Sequence, residues 1–192
     1  MLLLFGYLSG GFSIIAYLPY LRDIFKLKTK PERASWFIWS VLGSIAFFSQ
    51  LAKGASNSLW LTGVQTFGVA FIFLISIKYG VGGFMRRDII ALICAGVGLV
   101  LWYITKNSAT ALYVVILIDA AGAILTVMKS YEDPASETMI TWILSGTAGI
   151  WAAFAVGSFN IVLLSYPTYI AMANFAVAIA IVVGFQKKRL VV

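Results

Sequence analysis

Long apolar stretches alternate with short polar breaks along the whole chain. A helix needs about 20 mostly apolar residues to cross a bilayer, and seven stretches approach that length. They run roughly over residues 2–22, 36–53, 59–79, 88–105, 109–129, 138–156 and 161–185. Such continuous runs do not fit the alternating strands of a membrane barrel. The pattern therefore predicts an all-α integral membrane protein with seven transmembrane helices.

The composition supports this interpretation and excludes other classes of protein. The 192-residue chain is 61% hydrophobic and 11% charged, whereas a soluble domain is about half apolar and about a quarter charged. Soluble enzymes, nucleic-acid binders and disordered chains are therefore excluded. The chain has no His and a single Cys, Cys94, so we expect no metal site, cofactor or internal disulfide. No cleavable signal peptide is expected, because the N-terminus runs straight into an apolar stretch.

The basic residues predict how the chain is oriented. Twelve of the 14 Lys and Arg residues fall on one side of the predicted spans. They are Arg22, Lys26, Lys28, Lys30, Arg33, Lys78, Arg86, Arg87, Lys129, Lys187, Lys188 and Arg189. The other side carries only Lys53 and Lys106. The positive-inside rule places the N-terminus outside and the C-terminus in the cytoplasm, in a plasma (inner) membrane. The net charge of +7 is then a topology signal and not a nucleic-acid footprint.

The sequence repeats itself at an offset of 103 residues. The matched pairs include Lys26 with Lys129, Pro31 with Pro134, Trp39 with Trp142, Gly43 with Gly146, Gly54 with Gly157 and Asn57 with Asn160. This register maps spans one to three onto spans five to seven and leaves the fourth unmatched. We therefore predict two parallel triple-helix bundles, 1–82 and 109–192, joined by a linker helix at 83–108.

Several short motifs accompany the repeat: Leu18-Pro19-Tyr20, Lys28-Thr29-Lys30, Ala34-Ser35-Trp36 and Gly43. With the 3+1+3 plan, they make the chain resemble the PQ-loop clan, which includes the SWEET sugar facilitators. Pro19 stands at the Pro of the clan's Pro-Gln dipeptide, with Tyr20 in place of Gln, and the second half has Gly122-Ala123 instead. The resemblance implies a hinge at Pro19.

The same resemblance implies a substrate site between the two bundles. Its small polar, aromatic and hydrogen-bonding positions correspond to Ser44, Phe48 and Gln65 in the first half, and to Thr147, Trp151 and Thr168 in the second. Asn174, a polar residue in the middle of span seven, is a further candidate, with interhelical hydrogen bonding as the alternative. Trp39 and Trp142 lie near the cytoplasmic ends of spans two and six, where they are either gate residues or members of an aromatic belt.

Asp119 is the ionisable residue that the sequence places in the middle of a span. Its repeat equivalent is Ala16, and no Lys or Arg lies at a matching depth. An ionisable group inside a span is a functional candidate by default. Asp119 is therefore interpreted as a proton or cation coupling site, or as a partner for a cationic substrate group. The alternative is a neutral carboxyl that is hydrogen-bonded to a neighbouring helix.

These features favour a carrier of a small polar solute, such as a sugar, that works by alternating access and is either a facilitator or proton-coupled. The alternatives are a carrier of the nicotinamide riboside type and a receptor or adaptor of the same clan. An enzyme is not expected, because Asp119 stands alone without a second acid or base. The expected partners are the solute and the lipid bilayer. No nucleic acid is expected, and a homo-oligomer stays open.

Overall fold

The computed structural model is built from helices. It describes residues 1–27, 31, 33–80 and 107–190, with single residues and pairs between 86 and 104. The elements are α1 (Leu2–Phe25), α2 (Arg33–Ala52), α3 (Leu59–Tyr79), α4 (Ser108–Glu132), a 3-10 helix (Pro134–Ser136), α5 (Met139–Ala155) and α6 (Ile161–Leu190). No strand occurs in these described ranges, so the all-α class is confirmed. Most of the predicted linker helix at 83–108 lies outside the described residues, as do Lys28-Thr29-Lys30 and the side chains of Ala34 and Ser35.

Three of the helices are long and apolar enough to cross a membrane. They are Leu2–Phe25, Leu59–Tyr79 and Ile161–Arg189. Shorter apolar helical segments cover Trp36–Ala52, Ser108–Ala120 and Met139–Ala155. Large apolar side chains such as Phe67 and Leu117 are exposed on the outer faces of their helices. An exposed apolar surface of this kind is typical of a protein that faces lipid, so length and composition together support membrane insertion.

Helices α2 and α5 end in the same way. Gly54 follows α2 with φ +83°, and Gly157 follows α5 with φ +72°. After α2, the Gly54 amide donates to the Leu51 carbonyl oxygen and the Ala55 amide to that of Gln50, both at 3.0 Å. These two bonds form a Schellman motif, which needs a left-handed residue that glycine adopts without strain. The two glycines therefore stop the helices and turn the chain toward α3 and α6.

The segments that enter α2 and α5 also correspond. Pro31 precedes α2 and Pro134 begins the 3-10 helix before α5, and both side chains are fully buried. The last helix begins with a side-chain cap, because the Asn160 Oδ1 atom accepts a hydrogen bond from the Leu163 amide at 3.1 Å. Such a cap satisfies one of the amides that a helix start leaves unpaired.

The helix contacts follow one pattern in both halves of the chain. Helix α3 packs against α1 and α2, and α6 packs against α4 and α5. Between the halves, α1 packs on α5 and α2 packs on α4. Exchanging α1, α2 and α3 for α4, α5 and α6 leaves these six contacts unchanged, and a smaller contact between α3 and α5 departs from the pattern.

The buried residues of α1 and α5 are mostly small. They are Gly6, Ser9, Gly10, Ser13 and Ala16 on α1, together with the larger Ile24, and Gly146, Ala148, Gly149, Ala152 and Ala155 on α5. Gly6 and Gly10 face α3, and Gly146 and Gly149 face α6. Small residues let two helix backbones approach closely in a membrane. In the α2–α4 contact, Ile38, Leu42 and Ile45 share a buried cluster with Leu112 and Val115. This cluster is the centre of the molecule, and the candidate site lies beside it.

Candidate functional site

A carboxyl and a phenol meet between α4 and α6. The Tyr169 hydroxyl donates a hydrogen bond to the Asp119 Oδ2 atom. Asp119 is half-buried and follows Leu112 and Val115 at helical spacing on α4, so it lies next to the central cluster. Tyr169 also packs against that cluster. The carboxyl therefore has a neutral partner from a neighbouring helix.

Two further tyrosines lie close to this pair. Tyr166 precedes Tyr169 by one turn of α6, and their ring centroids are 6.4 Å apart at an angle of 50°. Tyr166 is only 7% exposed and lies near both Asp119 and Tyr17. The Tyr17 hydroxyl donates to the Gln65 carbonyl oxygen at 3.2 Å. Two phenols of α6 therefore lie beside the carboxyl, and the phenol of Tyr17 on α1 lies near Tyr166. We call this group the Asp119 site (Asp119, Tyr17, Tyr166 and Tyr169).

The sequence analysis did not identify the three tyrosines. The spacing of two of them was a usable signal, because Tyr166 and Tyr169 are three positions apart and so lie on the same face of α6. Nothing in the sequence alone pairs that face with α4, however. The sequence analysis considered only Lys and Arg as partners of Asp119, whereas the hydrogen-bond donor in the structure is the phenol of Tyr169.

Three of the predicted site residues bond to their own helices. The Ser44 hydroxyl donates to the Ser40 carbonyl oxygen, and the Thr147 hydroxyl donates to the Ile143 carbonyl oxygen, both at 2.8 Å. The Asn174 Nδ2 atom donates to the Ile170 carbonyl oxygen, also at 2.8 Å. Hydrogen bonds to the carbonyl four residues earlier are common for hydroxyl side chains in helices. These side chains are satisfied locally and would exchange those bonds to contact a solute.

The other predicted residues lie in different surroundings. Trp151 stacks on Phe5 of α1, with centroids 5.6 Å apart and planes at 21°, and its buried Nε1 atom has no hydrogen-bond partner. Phe48 is 55% exposed, and Thr168 is also exposed. The backbone of Gln65 binds Tyr17. The structure therefore brings Gln65 close to the Asp119 site through Tyr17 and leaves Phe48 and Thr168 on the surface.

Trp39, one of the predicted gate residues, belongs to an aromatic cluster with Trp36 and Tyr20. The ring centroids of Trp39 and Trp36 are 5.2 Å apart in an edge-on contact, and those of Tyr20 and Trp36 are 5.1 Å apart. The Trp142 Nε1 atom donates to the Glu137 Oε2 atom at 3.2 Å. Trp39 also packs against the central cluster, so it connects the aromatic cluster to the core. Pro19 lies inside α1, which continues past it to Phe25.

A cavity of about 680 Å³ lies between α1 and α3. Its lining is largely apolar and includes Tyr17 but none of the seven predicted substrate residues. Within the described part of the chain, no group of three His, Cys, Asp or Glu side chains is placed to hold a metal ion.

No family model, curated protein or solved structure matches this chain.

Proposed function

We propose that the protein is a carrier of a small polar solute that works by alternating access between two triple-helix bundles. The observation that carries the proposal is the Asp119–Tyr169 pair, a half-buried carboxyl and a phenol beside the contact between the halves. An ionisable group at this depth in a membrane is energetically costly, so it is a functional candidate by default. Carriers built from repeats bind their substrates near the midplane, between the repeats.

The corresponding features of the two halves support the two-bundle arrangement. The six largest helix contacts are unchanged when the halves are exchanged. Gly54 and Gly157 share a left-handed conformation, and Pro31 and Pro134 share full burial. Each pair is separated by the same 103 positions. A rotation about an axis along the membrane normal would relate two such halves, with the N-terminus outside, the C-terminus in the cytoplasm and the fourth helix as linker.

The chemistry of the Asp119 site fits a proton-coupled variant of this carrier. An ionised Asp119 accepts the hydrogen bond from Tyr169, and a protonated Asp119 gains a hydroxyl that can donate to a solute oxygen. If the site opens to one side and then to the other, Asp119 can take up a proton on the first side and release it on the second. Trp39, with its aromatic cluster, and Trp142 would then gate one of the two openings.

Two solute classes fit the residues. A sugar would use the phenol hydroxyls of the Asp119 site as hydrogen-bonding groups. A nicotinamide riboside-like solute is the second candidate, because its cationic ring would be attracted to Asp119 and to the faces of Tyr166 and Tyr169. The tilted pair of rings beside the carboxyl is the observation that favours this candidate.

A flux screen in proteoliposomes tests the proposal. We expect labelled D-glucose or nicotinamide riboside to exchange faster through the protein than through empty liposomes. Tyr169→Phe should slow this exchange, because it removes the hydroxyl next to Asp119. Tyr7→Phe is the matched control, since Tyr7 lies on the exposed face of α1 against Trp60. Equal slowing by both variants, or no exchange of either solute by inserted protein, would argue against the proposal.

A further inference from the structure

The six α-helices that the structure describes from end to end pack in a closed ring. Following their largest contacts, the order is α1, α3, α2, α4, α6, α5 and back to α1. Two of these contacts join the halves of the chain, one between α1 and α5 and the other between α2 and α4. We call them the α1–α5 seam and the α2–α4 seam. Any rocking of one half against the other must widen at least one of the two.

Unpartnered polar groups lie at the α1–α5 seam. Within the described part of the chain, the Oγ atoms of Ser9 and Ser13 and the Nε1 atom of Trp151 are buried without a hydrogen-bond partner. Ser9 and Ser13 are 0% and 1% exposed. Trp151 of α5 stacks on Phe5 of α1, and the two serines follow Phe5 at successive intervals of four residues. They therefore continue, turn by turn, along the side of α1 that meets α5.

The two serines differ from other hydroxyl residues inside these helices. The hydroxyls of Ser44 and Thr147 donate to the carbonyl oxygen four residues earlier, which is a common way to satisfy a hydroxyl within a helix. Ser9 and Ser13 have no such bond, and the buried residues of α5 are all Gly or Ala, so their side chains offer no polar partner. A closed α1–α5 seam therefore carries the cost of buried hydroxyls without hydrogen bonds, and contact with water would remove that cost.

The α2–α4 seam is built mainly from large apolar side chains. Ile45 of α2 and Leu112 of α4 belong to the central buried cluster, so opening this seam to water would expose apolar surface. One unpartnered hydroxyl lies on the same side of α2, because Ser49 follows Ile45 by four residues, is 0% exposed and has no partner in the described residues. The balance of polar and apolar groups thus favours opening of the α1–α5 seam.

We propose that the α1–α5 seam opens to water at the N-terminal end of α1, while the α2–α4 seam stays closed and acts as the hinge. Ser9 and Ser13 then line the open path and form hydrogen bonds with water. Tyr17, a member of the Asp119 site, follows Ser13 by one more turn of α1. The path from Phe5 to Tyr17 is about 18 Å long at 1.5 Å per residue, so it leads from the end of the helix to the site.

This inference rests on the alternating access of the proposed function. Its test measures the access of water to single side chains and not transport, so the two proposals can fail separately. A protein that opens at this seam without carrying a solute would refute only the carrier, and a carrier that opens elsewhere would refute only the seam.

Thiol modification of the full chain in detergent tests the opening. Ser9→Cys and Ser13→Cys are made separately in a Cys94→Ser protein, which has no other thiol, and are treated with the cationic, water-soluble reagent MTSET. The reacting species is the thiolate, which forms in contact with water. We expect both thiols to react at least about ten-fold faster than Ser49→Cys, since an open state populated to about 1% gives a measurable rate. Ile15→Cys, on the exposed face of α1, reports the rate at a position covered by detergent.

Ser49→Cys is the matched control, because its side chain is as buried as those of Ser9 and Ser13 and equally unpartnered. It also lies only three residues before the end of α2, so depth alone would favour its reaction. Either folded variant at Ser9 or Ser13 is sufficient for the test. Rates equal to that of Ser49→Cys, or no faster than that of Ile15→Cys, would overturn the proposal.

A further pair of variants tests the role of the hydroxyls. Adding Ser13→Ala to the Ser9→Cys protein removes a buried hydroxyl without a partner and should favour the closed seam. Modification should then slow by about five-fold, which is the lower end of the cost of such a group. Ser49→Ala should leave the rate unchanged. An unchanged rate with Ser13→Ala, or equal slowing by Ser49→Ala, would contradict a one-sided opening favoured by these hydroxyls.

Discussion

Gly54 and Gly157 lie 103 residues apart and end α2 and α5 with left-handed backbones, at φ +83° and +72°. Both helices stop at equivalent residues, Ala52 and Ala155. A non-glycine residue in this conformation costs about 1–2 kcal/mol. The repeat in the sequence is therefore accompanied by a repeat in backbone conformation at the turns that lead into α3 and α6.

Replacing either glycine by alanine should destabilise the protein. We expect Gly54→Ala to lower its stability by about 1 kcal/mol through backbone strain. Gly157→Ala should cost more, because the added Cβ atom would also meet the Leu2 side chain. The control is Gly11→Ala, which lies within α1 with no atom within 4 Å of the added Cβ and should be neutral or stabilising. Thermal unfolding in detergent measures all three, and equal stability of Gly54→Ala and Gly11→Ala would contradict the strain argument.

The contact between α5 and α6 should tolerate no added methyl group at Gly149. An added Cβ atom would lie 2.7 Å from the Ala171 amide nitrogen and 2.9 Å from the Pro167 carbonyl oxygen. Because both are backbone atoms, the helices must separate, at a cost of about 1–3 kcal/mol. In Gly10→Ala the nearest atom is 3.5 Å away, so that variant should keep its stability. The melting temperatures of the two variants check this, and a stable Gly149→Ala protein would show that the helices are not in close contact.

A buried hydrogen bond links α2 to α3. The Gln50 Nε2 atom donates to the Thr62 Oγ1 atom at 2.8 Å, and both side chains are fully buried. Gln50→Leu should cost about 1–3 kcal/mol, because it leaves the Thr62 hydroxyl without this partner. Adding Thr62→Val should recover part of that loss, since both polar groups are then gone. The unfolding free energies of the wild type, the two single variants and the double variant form a double-mutant cycle. Strictly additive losses of stability would mean that the hydrogen bond contributes nothing.

The sequence predicted the elements that depend on local pattern. Apolar periodicity located the helices to within a few residues, as for the third span at 59–79 and α3 at Leu59–Tyr79. The repeat at 103 residues matched Gly54 with Gly157 and Pro31 with Pro134, and the structure gives each pair the same backbone or burial, because backbone requirements recur in each half. The 3+1+3 path and the orientation stay predictions, since most of the fourth span lies outside the described residues.

The site was harder to predict because it depends on which helix faces meet. Asp119 was identified from its cost in a membrane, but its partner Tyr169 is 50 residues away on another helix. Residues transferred by resemblance, such as Phe48 and Thr168, depend on helix rotation, and the structure leaves both exposed. A rotation of one residue, about 100°, moves a side chain from the core to the lipid. Such rotations follow from packing between helices and not from the pattern along one of them.

The most direct test of the account is solute transport by the wild type and Asp119→Asn in proteoliposomes, measured with D-glucose and nicotinamide riboside. The asparagine keeps the shape and most of the hydrogen bonding of the carboxyl but cannot ionise. The account predicts that the wild type exchanges one solute and accumulates it under an imposed proton gradient. The folded Asn variant should still exchange that solute but fail to accumulate it. A wild type without proton dependence, together with a fully active Asn variant, would contradict the account and leave Asp119 as a packing contact.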